Sequence, residues 1–413
     1  MLQINKLPKD WKVVKLGEIC DKMSNGANAK QFEDQVGLPI SRIETIWNET
    51  IDLKRVKYIY ENDEAFIEKY ALKKNDILFS HINSDIHLGK TALFKNQTKT
   101  LIHGINLLLI RLCKEAQPDF FNYQFNYKRR KGEFITIASK SVNQSSINQP
   151  KLKNIDFVLP PLQTQQAIVS KIEELFSELD KGIEDLKTSQ QQLKTYRQSV
   201  LKYAFEGKFT KHIVKWQKVK LGEVAFAIDP QPSHRTPPEV ENGIPYVSIK
   251  DFDAPNDKID FTYARKVSNT VLEEHLNRYK LEIGDFVIGK IGTIGKPVRI
   301  VLPQDYSLSA NIVLIQPRKI NTTYLYYFFQ SSIIEKAFTA GVKATTQAAF
   351  GIQKVRELII ELPSDEEQQS IVQEIESRLS VADKMEESIT QSLLQAEALR
   401  QSILKKAFSG ELV

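Results

Sequence analysis

Cysteine is scarce in this chain: Cys20 and Cys113 are the only two in 413 residues. Their spacing fits neither a zinc site nor a disulfide framework, so a reducing, cytoplasmic setting is expected. No run of 18 apolar residues occurs, so no membrane span is expected. The opening MLQINKLPKDWK has no apolar signal core. Catalytic signatures are equally thin, with no H-E-x-x-H and no G-x-S-x-G. SDIHLGKT (84–91) comes near a phosphate loop, but Ser84 replaces the first glycine and the following ALF reads as strand. The counterpart KIGTIGKP puts Lys290 at the first glycine and Pro297 where a Mg²⁺-binding hydroxyl belongs. Both read as tight glycine turns presenting Lys90 and Lys296. His81 and His87 flank Asp85, yet Gly289 and Gly295 stand near the corresponding positions further on, which argues against a metal site. No catalytic constellation emerges, and no cofactor is expected in this chain.

What the chain does contain is a duplication. YRQSVLKYAFEGKF near residue 197 returns as LRQSILKKAFSGEL about 203 residues later. Arg197 matches Arg400, Ser199 matches Ser402, Leu201 matches Leu404, Phe205 matches Phe408 and Gly207 matches Gly410. Upstream at the same offset, LPPLQTQQAIVSKI (159–172) matches LPSDEEQQSIVQEI (362–375), aligning Gln165 with Gln368 and Ile168 with Ile371. The more divergent blocks before these share landmarks: Trp11 with VKLGEI and Trp216 with VKLGEV, NDILFS (75–80) and GDFVIG (284–289), INLLLI (105–110) and ANIVLI (310–315). So long a period is a duplicated domain pair and not a solenoid.

At 413 residues, with 41% apolar and 26% charged residues, the chain suits two soluble domains plus accessories. The net charge of +6 is unevenly spread: segments 163–206 and 366–409 together carry −4, leaving +10 on the rest. An excess of positive charge on the divergent blocks fits a polyanionic partner.

The divergent blocks alternate β-rich runs such as DILFS and ANIVLI with turn signals, and short helices are expected around 118–130 and 322–338, a mixed α/β reading. The matching blocks read as long helices. Ile168, Ile172, Leu175, Leu179, Leu186, Leu193, Tyr196 and Val200 form a heptad seam in the first, and Ile371, Ile375, Ala382, Met385, Ile389, Ala396, Leu399 and Ile403 in the second. Pro161 and Pro363 block helix upstream, and Gly207 and Gly410 suit left-handed stops. Roughly 44 residues at about 1.5 Å each span about 65 Å. Each helix needs a partner for its seam, and the other copy supplies it. The expectation is α/β: two mixed α/β domains (1–160 and 208–363) alternating with two helices (161–207 and 364–410) paired as an antiparallel coiled coil with pseudo-two-fold symmetry.

The remaining inventory is that of a binding protein. Lys54, Arg55, Lys57 and the run Lys128–Lys131 lie among Tyr58, Phe125 and Tyr127; Arg265, Lys266, Arg278, Lys280 and Lys290 are the second block's bases. Such groups neutralise phosphates and position a protein on a duplex, although the run 128–131 reads equally as a solvated helix face. The loops KSVNQSS (140–146) and KATTQAA (343–349) each hold a glutamine, Gln144 and Gln347, which fits base-edge readout or a lock between loop and helix start equally well. The candidate DNA contacts are Arg42, Lys54, Arg55, Lys57, His81, Lys90, Lys140, Asn143 and Gln144 in the first block. In the second they are Lys250, Arg265, Lys266, Lys290, Thr293, Lys296, Lys343 and Gln347.

The ordered motifs resemble the specificity (S) subunits of type I restriction–modification systems. W-x(2–4)-V-K-L-G-E-[IV] opens each half, the GK turns follow, then the L-P junction and the R-Q-S-[VI]-L-K-x-A-F-x-G helix end; in that order, twice, they cover essentially the whole chain. The resemblance implies that each divergent block is a target recognition domain reading half of a bipartite site in double-stranded DNA. It also implies that the helices set the spacer and dock two methyltransferase (M) subunits, with restriction (R) subunits joining. S-adenosylmethionine, ATP and Mg are then expected on those partners. Divergence between the blocks implies unrelated half-sites. The junction departs from exact repetition, since Ser364 and Asp365 replace Pro161 and Leu162, putting identical partner contacts at both ends in doubt. Two alternatives are a specificity subunit whose partner fuses methylation and cleavage, and a coiled-coil scaffold that binds proteins and not DNA.

Overall fold

The computed structural model describes residues 7–95, 100–141, 144–210, 216–233, 235–253, 258–290, 296–341 and 351–413. The chain divides into two units, Met1–Leu186 with Gln391–Val413, and Lys187–Thr390. Two long helices, Leu162–Phe205 and Asp365–Ser409, each give one part to either unit. Every unit is thus a mixed α/β body closed by the start of one long helix and the end of the other.

In the first unit an antiparallel four-stranded sheet runs in the order Cys20–Asn25, Leu107–Leu112, Ile77–Ser80, Thr91–Leu93. A two-stranded ribbon pairs Lys12–Lys15 with Asp156–Leu159. The second unit repeats both: Ala225–Ile228, Ile312–Pro317, Phe286–Gly289 and Pro297–Arg299 form the sheet, and Gln217–Lys220 pairs with Ile359–Leu362. Leu108 opposite Phe79 is mirrored by Val313 opposite Ile288. Beyond this frame Leu38–Ile40 pairs antiparallel with Lys57–Ile59 and Ile40 bridges Ile102 in parallel, and Ile244–Val247 repeats the arrangement with Arg265–Val267 and Ser307–Leu308. The first unit also holds a sheet of Ser139–Ser141, Gln144–Ser146 and Ile82–Asn83.

The helix ends enter the unit cores by the same side chains in both copies. Ile168, Val169 and Ile172 join Ile403, Leu404, Ala407 and Phe408 in the first core; Ile371, Val372 and Ile375 join Val200, Leu201, Ala204 and Phe205 in the second. Phe408 meets Phe120 edge-on at 5.5 Å, and Phe205 meets Tyr324 edge-on at 5.2 Å. Within the second unit Arg197 contacts Asp383 and Glu386 while Phe209, further along the chain, lies 4.8 Å under Arg378, so the helices pair antiparallel there.

The duplicated motifs acquire physical reasons. Lys15 N and Lys220 N each donate to the glutamate three residues on, Glu18 and Glu223, at 3.1 Å, closing the K-L-G-E turn over fully buried Leu16 and Leu221. Gly207 (φ 70°) and Gly410 (φ 79°) end the helices in the left-handed region, as expected. Lys208 N donates to Tyr203 O at 3.0 Å and Glu411 N to Lys406 O at 2.9 Å, the six-to-one closure of a glycine stop. The opening tryptophans cover these stops: a Cβ on Gly207 would stand 3.4 Å from the Trp216 ring, and one on Gly410 3.7 Å from Trp11.

One buried amide locks each unit to its helix start. Gln165 accepts from Gln117 N at 2.8 Å and donates to Pro160 O at 2.8 Å and Glu115 O at 2.9 Å. Gln368 accepts from Asn321 N at 2.8 Å and donates to Pro363 O at 3.0 Å. Where the first junction starts its helix after Pro161, the second uses a capping box, with Glu367 N donating to Ser364 Oγ at 3.3 Å and Ser364 N donating to Glu367 at 3.2 Å.

The helix seam needs one correction. Ile168, Ile172, Leu193, Val200, Ile371, Ile375, Ile389 and Ile403 are buried, and Leu175, Leu179 and Leu186 are half-buried. Met385 and Leu399, however, are 52% and 51% exposed, and Tyr196 is exposed too. The buried row of the second helix is Ala382, Ile389, Ala396 and Ile403, spaced by sevens, and the half-buried row beside it is Leu379, Glu386, Leu393 and Arg400. With about 100° per residue, Met385 and Leu399 fall one position outside that second row. Charge and amphipathic stems occupy places where apolar side chains were expected.

Candidate nucleic-acid interface

In the first unit the candidate residues gather around the 81–90 turn. Gly89 (φ 72°) lies against Phe134, where an added Cβ would come within 2.5 Å of the ring, so only glycine fits the close approach. The turn is tied on both flanks. Arg129 Nη2 donates to Ile86 O at 2.6 Å and its Nε to Leu88 O at 3.3 Å, while Ser145 Oγ donates to Asp85 Oδ1 at 2.5 Å. Lys140 stands 3.8 Å from Asp85, which places the 139–146 hairpin, with exposed Gln144, beside the turn. Ile86 at the tip is 75% exposed.

A second hairpin, Ile46–Trp47 paired with Thr50–Ile51, flanks the turn across a cavity of about 230 Å³ lined by Trp47, Lys90 and Arg129. Its tip residues Asn48 and Glu49 both have positive φ, 48° and 62°. The exposed Trp47 indole carries the Arg55 guanidinium at 3.7 Å from its centroid, and Arg55 Nε also donates to Asp52 at 3.2 Å. Lys54 is exposed; Lys57 is half-buried and 3.1 Å from Glu33; Arg42 is half-buried, 3.5 Å from Glu44. The turn thus brings Arg55, Lys90, Lys140 and Gln144 into one neighbourhood.

Two candidates lie elsewhere than expected. His81 is buried, and burial pushes its pKa down to about 4, leaving a neutral ring whose Nδ1 has no partner. It lines a cavity of about 540 Å³ with Asn25, Gln149 and Lys153 and presents no charge to a phosphate. Lys290 is also buried, 2.7 Å from Asp229, and donates to Ala310 O at 3.0 Å, so its ammonium is consumed inside the unit. Local spacing does not distinguish a paired interior lysine from a surface one; the Asp229 partner is 61 residues away in sequence.

In the second unit Lys250, Arg265, Lys266 and Lys296 are exposed. Arg265 donates to Pro237 O at 2.9 Å and lies 3.6 Å from Glu239. Its strand follows Tyr263, which is 85% exposed, and Phe261, 41% exposed. Aromatic faces beside bases suit stacking and phosphate contact. Asn143, Thr293, Lys343 and Gln347 lie outside the described residues.

Sequence reasoning missed several participants. The 128–131 run is divided: Lys128 is buried against Glu133 at 2.8 Å, Arg129 braces the turn, Arg130 pairs with Glu49 at 2.7 Å and Lys131 is exposed. Trp47 and Asn126 went unassigned. A lock between unit and helix start is made in both copies by Gln165 and Gln368, while Gln144 is exposed; the identity of Gln165 and Gln368 across the 203-residue offset was the available signal.

Duplicated α/β units with exposed base- and aromatic-bearing loops, carried on long helices, define the class of DNA-recognition chains. The family model for the type I restriction modification DNA specificity domain matches residues 8–188 and again 213–395, and the chain belongs to that family. It is 30% identical over 424 residues to a putative type I restriction enzyme MjaX specificity subunit of Methanocaldococcus jannaschii, covering 99% of this chain and 95% of that one. It is 26% identical to the type I restriction enzyme EcoBI specificity subunit of Escherichia coli, over 74% of this chain and 69% of the relative. The fold resembles a chain solved in work on complex assembly and conformational transition of the type I R-M system, with TM-score 0.74, 19% identity and 98% and 99% coverage. It also resembles the HsdS subunit of Thermoanaerobacter tengcongensis, with TM-score 0.58, 19% identity and 99% of both chains covered. Specificity subunits of this family are non-catalytic. Among the described residues no helix is long and apolar enough to cross a membrane.

Proposed function

We propose that this chain is the DNA-reading subunit of a cytoplasmic type I restriction–modification enzyme. Residues 1–160 and 208–363 act as target recognition domains for two unrelated half-sites. The helices 161–207 and 364–410 set the number of unread base pairs and dock two methyltransferase subunits, which restriction subunits then join. Adenine methylation, with S-adenosylmethionine, and ATP- and Mg-dependent cleavage belong to those partners. The observation that carries this reading is the contrast within the repeat. The strands, tryptophan–glycine stops and glutamine locks recur, whereas side chains on the recurring frame diverge: Arg265 and Lys266 stand where the matching strand of the first unit has Lys57 and Tyr58.

The proposed DNA contacts are Arg42, Lys54, Arg55, Lys57, Lys90, Lys140 and Gln144 in one unit and Lys250, Arg265, Lys266 and Lys296 in the other, together with Asn143, Thr293, Lys343 and Gln347 of the same loops. The test is binding of the chain, purified with its methyltransferase partner, to duplex DNA at several salt concentrations. Affinity should fall steeply and linearly on a double-logarithmic plot as phosphate contacts release counterions. Salt-independent binding, or none, would contradict the reading.

A further inference from the structure

The cavity of about 230 Å³ between the Trp47 hairpin and the 81–90 turn has the chemistry of an anion site. Asn126 lies in its wall and is only 2% exposed. Its Oδ1 accepts from Thr91 Oγ1 at 3.1 Å, but its Nδ2 has no acceptor. A buried donor left unmet is costly unless something else meets it. Lys90 lines the same wall and makes no ion pair among the described residues. Burial and then the neighbouring Arg129 charge lower its pKa. His87 is lowered as well, by burial, Lys90 and Arg129. Lys90 and Arg129 therefore repel one another, and His87 is held neutral, with the carboxylates Glu44 and Glu49 as the opposing charges nearby. The cavity's carboxylate, Glu49, is engaged by Arg130 at 2.7 Å and 3.2 Å.

We propose that this cavity binds one phosphate group of the DNA backbone, which accepts from Asn126 Nδ2, Lys90 and Arg129. The inference rests on the DNA-recognition reading above and adds a particular contact to it. Phosphate contacts of this kind fix register and orientation without reading sequence. The second copy does not repeat these donors in sequence: aligned on Gln117 and Asn321, the positions of Asn126, Arg129 and Arg130 hold Gln330, Ile333 and Ile334. The proposed contact belongs to the first unit's half-site.

The test uses Asn126→Asp and Lys90→Gln in the full chain with its methyltransferase partner. Asn126→Asp is nearly isosteric, keeps the Thr91 bond and places a carboxylate beside Lys90, so the melting temperature should not fall. DNA affinity should drop about tenfold, equally for cognate and unrelated duplexes, and the salt slope should fall by about one. Wild-type affinity and slope in both variants would overturn the proposal. So would a loss confined to cognate DNA, which would make the cavity a base reader. If inorganic phosphate raises the melting temperature of wild type but not of Asn126→Asp, while DNA affinity is unchanged by the substitution, the site serves a free anion and the backbone assignment is wrong. A wild-type complex that binds no DNA removes the functional reading and this inference with it, a result distinct from variants that match a binding-competent parent.

Discussion

Arg197 Nη1 lies 2.7 Å from Asp383 Oδ1, and its Nη2 lies 2.8 Å from Glu386 Oε2. Arg400 makes the corresponding contact with Asp180, 203 residues away from the first pair at each partner. The arginine of the repeated R-Q-S motif is therefore a clamp between the two long helices, made once in each unit. Its stem is mostly covered, but Asp383 keeps 66% of its side-chain exposure, so screening limits the pair's worth. Arg197→Met should lower stability of the second unit by about 1 kcal/mol. Urea unfolding at low and high salt measures it, and the deficit should shrink at high salt.

The glutamine locks should matter more. Gln165→Leu keeps the volume but strands Gln117 N–H, Pro160 O and Glu115 O in a buried junction, at a cost of about 3 kcal/mol. Gln368→Leu strands Asn321 N–H and Pro363 O and should cost about 2 kcal/mol. Denaturant midpoints of the two variants give the ranking. Equal, near-zero losses would show that water replaces the amide.

The helix register gives a contrast between neighbours. Ile389→Ala empties a buried seam position and should cost about 2–4 kcal/mol. Leu399→Gln and Met385→Gln alter exposed positions and should stay within about 0.5 kcal/mol of wild type. A large loss at Leu399 would restore it to the seam.

Buried His81 supplies a pH dependence. Its pKa is held near 4 in the folded chain, against an ordinary 6.5. The unfolded chain binds the extra proton between those values, so stability rises with pH across that window. The contribution is complete above pH 6.5 and is lost as pH falls towards 4, by about 3 kcal/mol at most. Urea midpoints of wild type and His81→Gln, measured from pH 7 to pH 4, should converge as the pH falls.

The duplication, the mixed α/β class and the two long helices were legible because each leaves a pattern in the chain itself. Repeated motifs, proline and glycine punctuation and seven-residue spacing are local signals. The register error at Met385 and Leu399 arose because apolar spacing alone fits two adjacent helix stripes. Only the cross-helix pairs of Arg197 and Arg400 reveal which stripe faces inward. Lys290 and His81 were misplaced for a related reason. Their surroundings are assembled from Asp229 and Ala310, and from Asn25 and Ile147, residues distant in sequence. The anion cavity was invisible for the same cause, since hairpin, turn and helix end meet only in the fold.

The central claim is that each unit reads its own half of one DNA address. Mapping methylated adenines across the genome of the source strain, with this gene present and deleted, tests it most directly. The account predicts one bipartite motif, with two different halves separated by unread base pairs, that loses methylation on deletion. An unchanged methylation map, or a motif with the same trinucleotide in both halves, would contradict it.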